Sequence, residues 1–157
     1  MKVFIYDVDD TLIIHSPENT NYYEKTKDTD LQNLIKNTIS DKNYIYTNGT
    51  YGHGQKVKSA LLLDKEISKV FSRTETLPYI KPNMISFLSV QRRIIMDCRT
   101  DENIYFFFDD MVNNHKTAKD LGWITIWVSP NFIDKDRYSF IDYAYPNIFE
   151  ALLKFQT

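Results

Sequence analysis

Cysteine is nearly absent: the 157-residue chain holds one, Cys98. A lone thiol excludes an internal disulfide and any cysteine zinc cluster. No apolar run approaches about 18 residues, the length a membrane-spanning helix needs. A basic-then-apolar leader is missing too, because a β-prone run begins at Lys2. Neither sign of charge is in excess. The net charge is −2 and the pI about 5.9, so no global field recruits nucleic acid or an anionic membrane. Arg92-Arg93 and the set Lys56, Lys58 are small basic spots of the kind found on solvated faces. Glycine is scarce, at 4, whereas 11 Tyr and 10 Phe make the chain rich in aromatics. Together with frequent Asn and Lys, this reads as a compositional bias of the source. The expectation is a soluble, intracellular, cytoplasmic protein whose residues 1–157 form one domain large enough for a real core.

What is present organises around Lys2-Val3-Phe4-Ile5-Tyr6-Asp7-Val8-Asp9-Asp10-Thr11-Leu12. A continuous apolar run suits a central parallel strand covered on both faces. It ends in carboxylates, and open α/β sheets bind their ligands beyond the carboxyl ends of the strands. Asp7 and Asp9, two apart, leave the backbone on the same side if the strand geometry persists. Like charges held together call for a cation between them or a raised pKa, and a hard oxygen-seeking Mg²⁺ answers this. The competing reading is a turn that caps a helix, since Asp and Thr do both.

Further along, a polar loop with Pro17 leads into a helical face of Leu31, Leu34, Ile35 and Ile39, with Thr29 or Asp30 as N-cap. A second strand from Lys42 ends at Thr47-Asn48-Gly49, and a helix follows from about His53 to Leu63. A short strand over 69–72 precedes a linker from Arg73 to Ile80. Pro82 suits the first turn of a helix reaching Met96, buried through Met84, Phe87, Leu88 and Ile95. The most apolar strand, from Asn103 to Phe108, ends in Asp109-Asp110. A helix from Asn114 to Leu121 closes at Gly122. A fifth strand over 123–128, a short strand near Tyr143 and a helix from Ile148 to Phe155 complete the chain. Alternating strands and helices predict a three-layer, Rossmann-like α/β fold with a parallel sheet of five or six strands.

Three strand ends thus deliver polar groups to one edge, and Lys81 opens a helix nearby. Phosphoryl transfer needs a nucleophile or positioned water, a metal, a cationic clamp and hydroxyl or amide donors. This set supplies each. The order Asp-Val-Asp-Asp-Thr-Leu, Thr-Asn, Lys-Pro and Asp-Asp-x-x-x-Asn, continued by Ala118 to Trp123, resembles the four motifs of the haloacid dehalogenase (HAD) superfamily. Thr47-Asn48 with His53, and Ser72 to Leu77 running into Lys81-Pro82, are most similar to pyrimidine 5′-nucleotidases. The resemblance implies Asp7 as nucleophile and Asp9 as general acid/base, with its carbonyl also on Mg²⁺. It implies Thr47 and Asn48 as phosphate donors, Lys81 as charge clamp, Asp110 as a direct metal ligand and Asp109 as one acting through a metal-bound water. Asn114 stands where many relatives carry Asp and is a supporting residue. Asp9 favours phosphoryl transfer, because the superfamily's dehalogenases lack that acid.

One departure matters. Nucleotidases of this branch carry a helical cap domain, and the segment from Leu12 to Tyr46 leaves no room for it, so the site is expected to be open. A small phosphorylated substrate such as a nucleotide is the first expectation. A polynucleotide end or phosphoprotein, or a binding module without turnover, are the alternatives, and a dimer partner could supply a lid. His53 reads as capping or packing its helix, His15 as a surface histidine and His115 as structural. Tyr22, Tyr23 and His15 could form an aromatic lip for a base.

Overall fold

The apolar runs become six strands: β1 (Lys2–Tyr6), β2 (Lys42–Tyr46), β3 (Ile67–Phe71), β4 (Ile104–Asp109), β5 (Ile124–Val128) and β6 (Tyr143–Tyr145). In the computed structural model, which describes residues 1–15 and 29–157, they pair in the order β3-β2-β1-β4-β5-β6. Every pairing is parallel. The most apolar strands, β1 and β4, lie side by side at the centre, where both faces are covered.

Alternation along these strands sorts their side chains into two cores. Phe4, Tyr6, Ile45, Phe106 and Phe108 face one layer, made of α1 (Thr29–Lys36), α2 (Tyr51–Ala60) and α6 (Ile148–Leu153). Val3, Ile5, Tyr44, Tyr46 and Phe107 face the other, made of α4 (Met84–Cys98) and α5 (Val112–Asp120). The abundant aromatics are spent here. Phe4 packs on Phe106 with centroids 4.8 Å apart, and Tyr6 stacks on Phe108 at 4.9 Å. Each such pair adds roughly 0.5–1.5 kcal/mol to the burial of its rings.

Polar ties fix the helices to the sheet. Tyr44 Oη donates to Asp97 Oδ2 at 2.6 Å, while Lys42 and Lys69 reach the same carboxylate at 3.0 and 2.7 Å. Burial opposes the Asp97 charge, but these donors hold it well below the usual carboxylate range. The last turn of α4 is thereby pinned to β2 and β3.

Three expectations change. The segment after β3 is not all linker, because Ser72 and Glu75 close a capping box over a short helix, α3 (Arg73–Thr76). Pro82 stands before α4, whose N-cap is Asn83. The buried side of α4 is Ser86, Phe87, Val90 and Ile94, while Leu88 is exposed and Met84 and Ile95 are half-buried. Its apolar residues outnumber the places the sheet offers, so some face solvent.

Among the described residues only α1 stands between β1 and β2, and only α2, β3 and α3 between β2 and α4. No extra domain of cap size is built over the sheet. Among the described residues no helix is long and apolar enough to cross a membrane. Asp30 lies in the first turn of α1; Tyr22 and Tyr23 lie outside the described residues.

Two glycines of α2 test its seat on β3. A Cβ on Gly54 would stand 2.6 Å from Val70 Cγ1, whereas one on Gly52 meets nothing within 4 Å. Gly52→Ala is expected to stabilise by roughly 0.5 kcal/mol through backbone entropy. Gly54→Ala is expected to destabilise by about 1 kcal/mol, overpacking outweighing that gain, and Val70→Ala in the same chain should relieve it. Urea unfolding decides; equal stabilisation by both substitutions would refute the close seating.

Candidate active site

Because β1 and β4 are parallel neighbours, the residues that follow them emerge at one edge. Asp7 N–H still donates to Phe108 O at 2.9 Å, continuing the ladder one step. Then the chain turns sharply. The N–H groups of Thr11, Leu12 and Ile13 all point to Val8 O, at 3.2, 3.0 and 3.1 Å. Asp10 takes a left-handed φ of 60°, which Asp tolerates better than most residues. Strand geometry does not persist past Asp7, so the condition for Asp7 and Asp9 to share a side is not met. Their side chains go to different partners.

Asp7 goes inward. Its Oδ1 accepts from Lys81 Nζ at 2.9 Å, and Thr11 Oγ1 donates to its Oδ2 at 3.3 Å. Lys81 is only 4 % exposed. Its ammonium also donates to Asp109 Oδ2 at 2.8 Å and to Tyr46 O at 2.9 Å, and it lies 4.9 Å from the Tyr46 ring centroid. An ammonium has three donors, and all three are taken. Burial opposes the ammonium charge, yet Asp109 and Asp7 more than compensate and hold Lys81 above the usual lysine range.

Asn48 fixes the backbone that carries Lys81. Its amide donates to Lys81 O at 3.0 Å and accepts from Lys81 N–H at 2.9 Å. The side chain expected as a phosphate donor is therefore committed to holding Lys81. Thr47 is buried; its Oγ1 accepts from Gly49 N–H at 3.0 Å, which leaves its hydroxyl proton to donate.

Asp109 is fully buried and fully engaged. Besides Lys81 it accepts from Met111 N–H at 2.8 Å, and Asn114 Nδ2 reaches both its oxygens at 3.1 Å. Asn114 is thus the support for Asp109. His115 is buried, and its Nε2–H donates to Asp109 O at 2.8 Å. Asp110 is half-buried, and its carbonyl accepts from Trp127 Nε1 at 2.8 Å. Trp127 went unnoticed in the sequence, where it is one more apolar residue of a strand.

Oxygens of Asp7, Asp109 and Asp110 all lie within 4.8 Å of one another. One ammonium does not balance three carboxylates. Burial raises Asp7 well above the usual carboxylate range; Lys81 pulls it down while Asp109 and Asp110 push it up. Burial, and then Asp109, raise Asp110 to about 6. A close set of hard oxygen donors with excess negative charge fits a divalent cation such as Mg²⁺.

Asp9 goes outward, with its side chain 40 % exposed. Its Oδ1 accepts from His15 Nε2 at 2.9 Å and from His53 Nε2 at 3.0 Å. His53 was read as capping or packing its helix; the side-chain cap of α2 is Thr50, which accepts from His53 N–H. The imidazole reaches Asp9 instead. His15 is half-exposed, but it too is tied to Asp9 rather than being a plain surface residue. Asp9 carries no carboxyl oxygen into the cluster of three.

A groove of about 480 Å³ opens beside Asp110, bordered by Asn113, Trp127, Asn131, Arg137 and Tyr138. A larger groove of about 880 Å³ runs along α4 between Leu88, Arg92 and Met96. It contains none of these carboxylates, so the chemistry places the site and size does not.

The sequence matches no family model and no curated protein. Solved structures do match. The HAD-hydrolase YfnB from Bacillus subtilis superposes with a TM-score of 0.61 at 20% identity, over 80% of this chain and 52% of its own. The L-2-haloacid dehalogenase from Xanthobacter autotrophicus gives 0.61 at 15%, over 84% and 62%. The haloacid dehalogenase-like hydrolase SP0104 from Streptococcus pneumoniae gives 0.64 at 13%, over 98% of both chains. The chain thus spans between half and two thirds of the length of the first two, and nearly all of the third. Its fold is that of the HAD-like hydrolases, in a form without a large extra domain.

Two expectations follow. Lys81→Met should cost about 3–5 kcal/mol in urea unfolding, because it strands two buried carboxylates, and Asp109→Asn in the same chain should return part of it. A Lys81→Met protein within about 1 kcal/mol of wild type would contradict the network. The second concerns pH. Asp110 has a folded value of about 6, above its free value of 3.8. Its contribution to stability is therefore fully present below about 3.8 and is lost as pH rises through about 6. Asp7 acts in the same sense. His115, lowered by burial, acts oppositely. In chelator, Asp110→Asn should therefore gain on wild type as pH rises across that window; a constant difference in unfolding midpoint would refute the assignment.

Proposed function

We propose that this chain is a Mg²⁺-dependent phosphomonoesterase that works through an aspartyl-phosphate, on nucleotides or similar small phosphate esters. The observation that carries the reading is the division of two carboxylates, Asp7 buried against Lys81 and Asp9 half-exposed beside it. A nucleophile and a proton donor need such different environments. The dehalogenases of the same fold are the rival for the reaction type. A halide leaves without a proton, whereas the alkoxide of a phosphate ester needs one, so a second acid at the mouth favours the ester.

Asp7, Asp110 and, through a metal-bound water, Asp109 would hold the cation, with the Asp9 carbonyl as a further donor. When bound, it supplies positive charge that keeps Asp7 ionised and offsets charge on the phosphoryl oxygens. Lys81 holds Asp7 Oδ1, leaving Oδ2 to attack phosphorus. As the new O–P bond forms, the bond to the leaving oxygen breaks, and that oxygen takes the Asp9 proton. Asp9 then removes a proton from water as the water oxygen attacks phosphorus, which releases inorganic phosphate and restores Asp7. Phosphorylation cancels the Asp7 charge, and a Lys81 N–H is then released towards a phosphoryl oxygen. In this way the lysine clamps charge although its donors are occupied beforehand. Thr47 Oγ1–H and the Asn48 N–H are the remaining donors.

The groove beside Asp110 offers room for the leaving group, with Trp127 and Tyr138 as its aromatic wall. A second substrate reading rests on the absence of a cap-sized domain and on the exposure of Asp9. An open mouth admits a polynucleotide end or a phosphoprotein, or a second subunit serving as lid. An intracellular, cytoplasmic setting goes with this proposal and with the lone Cys98.

Turnover of 4-nitrophenyl phosphate with Mg²⁺ tests the reading. Chelation should abolish it, and Asp7→Asn should lower it about 10⁴-fold or more. A wild type with no Mg²⁺-dependent turnover on this ester, nucleoside monophosphates, phosphorylated oligonucleotides or phosphopeptides would refute it. The ranking within that panel separates small substrates from large ones.

A further inference from the structure

The sequence reads His53 as a residue that caps or packs its helix and His15 as a surface histidine, yet both end on one oxygen of Asp9. A half-exposed aspartate on a tight turn has several rotamers open to it. Two donors on Oδ1, at 2.9 and 3.0 Å, select one. Both imidazoles are anchored at their own backbone. His53 N–H donates to Thr50 Oγ1 at 3.1 Å, at the start of α2, and His15 N–H donates to Asp10 Oδ1 at 2.9 Å. Room for the His53 ring is made by a glycine. A Cβ on Gly49 would stand 3.0 Å from His53 Cδ2 and 3.2 Å from Thr47 Oγ1, so a larger residue there would displace the ring or the hydroxyl.

We infer that His53 and His15 are positioning residues for the proton donor: they clamp Asp9 Oδ1 and so fix the carboxyl group that protonates the leaving oxygen. The inference rests on the phosphomonoesterase reading and deepens it. Its chemistry follows from donor counting. An ionised Asp9 only accepts, so each Nε2 carries hydrogen and each Nδ1 is left as acceptor. When Asp9 is protonated, both Nε2–H groups continue to occupy Oδ1, and the proton sits on Oδ2. Transfer to the leaving oxygen then occurs from a fixed atom without a carboxyl rotation. The two histidines come from different segments, the turn after β1 and the start of α2 after β2, so their joint contact couples the two loops at the mouth.

The readout is the dependence on leaving group, since a good leaving group needs little protonation. We expect His53→Leu to lower kcat/KM about 10²-fold for an alkyl phosphate such as glycerol 2-phosphate. For 2,4-dinitrophenyl phosphate the loss should stay below about 3-fold. His53→Gln, whose amide can donate from a similar place, should recover most of the alkyl activity. In an Asp9→Asn background His53→Leu should have no further effect, because both act through one atom. Equal losses on the two esters, or an undiminished loss in the Asp9→Asn background, would overturn the inference. ¹⁵N spectra of the imidazoles give a test without turnover. Nε2–H tautomers for His53 and His15, with signals that move in Asp9→Asn, support the clamp, and Nδ1–H tautomers overturn it. Failure of the wild type on every ester would remove the acid role together with the phosphomonoesterase reading, whatever the tautomers show.

Discussion

The buried ammonium of Lys81 is the constraint on which the rest of the site depends. It spends its three protons on Asp7, Asp109 and the Tyr46 carbonyl, which follow or end β1, β4 and β2. These strands are adjacent in the sheet, so one cation ties three strand ends together. Taking such charges out of water costs several kcal/mol per ion before their attraction is counted. The arrangement therefore needs nearly perfect geometry. Asn48 provides it by bonding both backbone groups of Lys81, and Asn114 by donating to both carboxylate oxygens of Asp109. What looks like a set of motif residues around a reaction is, first, a set that makes one buried lysine tolerable.

That constraint also explains why two aspartates only two residues apart differ so much. Asp7 is taken inward by Lys81, and the turn closed on the Val8 carbonyl sends Asp9 the other way. The division is produced by the backbone and by the cation, not by any difference in the side chains. With three carboxylates on one ammonium, the inner cluster keeps excess negative charge. That excess opposes ionisation of Asp7, the group that attacks in the proposed reaction. In the proposed reaction a bound cation and an ionised Asp7 are thus one requirement, seen from two sides.

Much of this was legible in the sequence because its signals are local. Apolar runs that stop at Asp7 and Asp109 specify both a buried strand and the edge where it ends, and alternation with helices specifies a parallel sheet. The positions of Asp7, Asp109 and Asp110 follow directly, whereas Lys81 is placed by its resemblance to a motif and not by an apolar run. What was not legible depends on contacts made across the fold. Asn48 looks like a donor until Lys81 is seen to occupy its amide. Leu88 looks like core until the sheet proves to have room only for Phe87, Val90 and Ile94. His53 looks like a cap because it stands at the start of a helix; its real partner lies 44 residues away in the chain. The Ser72–Glu75 capping box was the exception, a local signal that was present and not used.

An open edge changes what the sheet must accomplish. In an enclosed site, closure removes water and strengthens every charge interaction at the reacting atoms. Here burial is uneven. Asp7, Lys81 and Asp109 are buried next to the aromatic cores, while Asp9 and His15 are half-exposed. Among the described residues, low dielectric is thus supplied from the sheet side of the carboxylate cluster. In the proposed reaction such a site would bind the phosphoryl group through its buried charges and leave recognition of the attached group to its rim. Discrimination then falls to whatever borders the mouth: the groove by Trp127 and Tyr138, and the two imidazoles that hold Asp9. It is there, and not among the buried charges, that changes in sequence would alter the substrate while leaving the reaction intact.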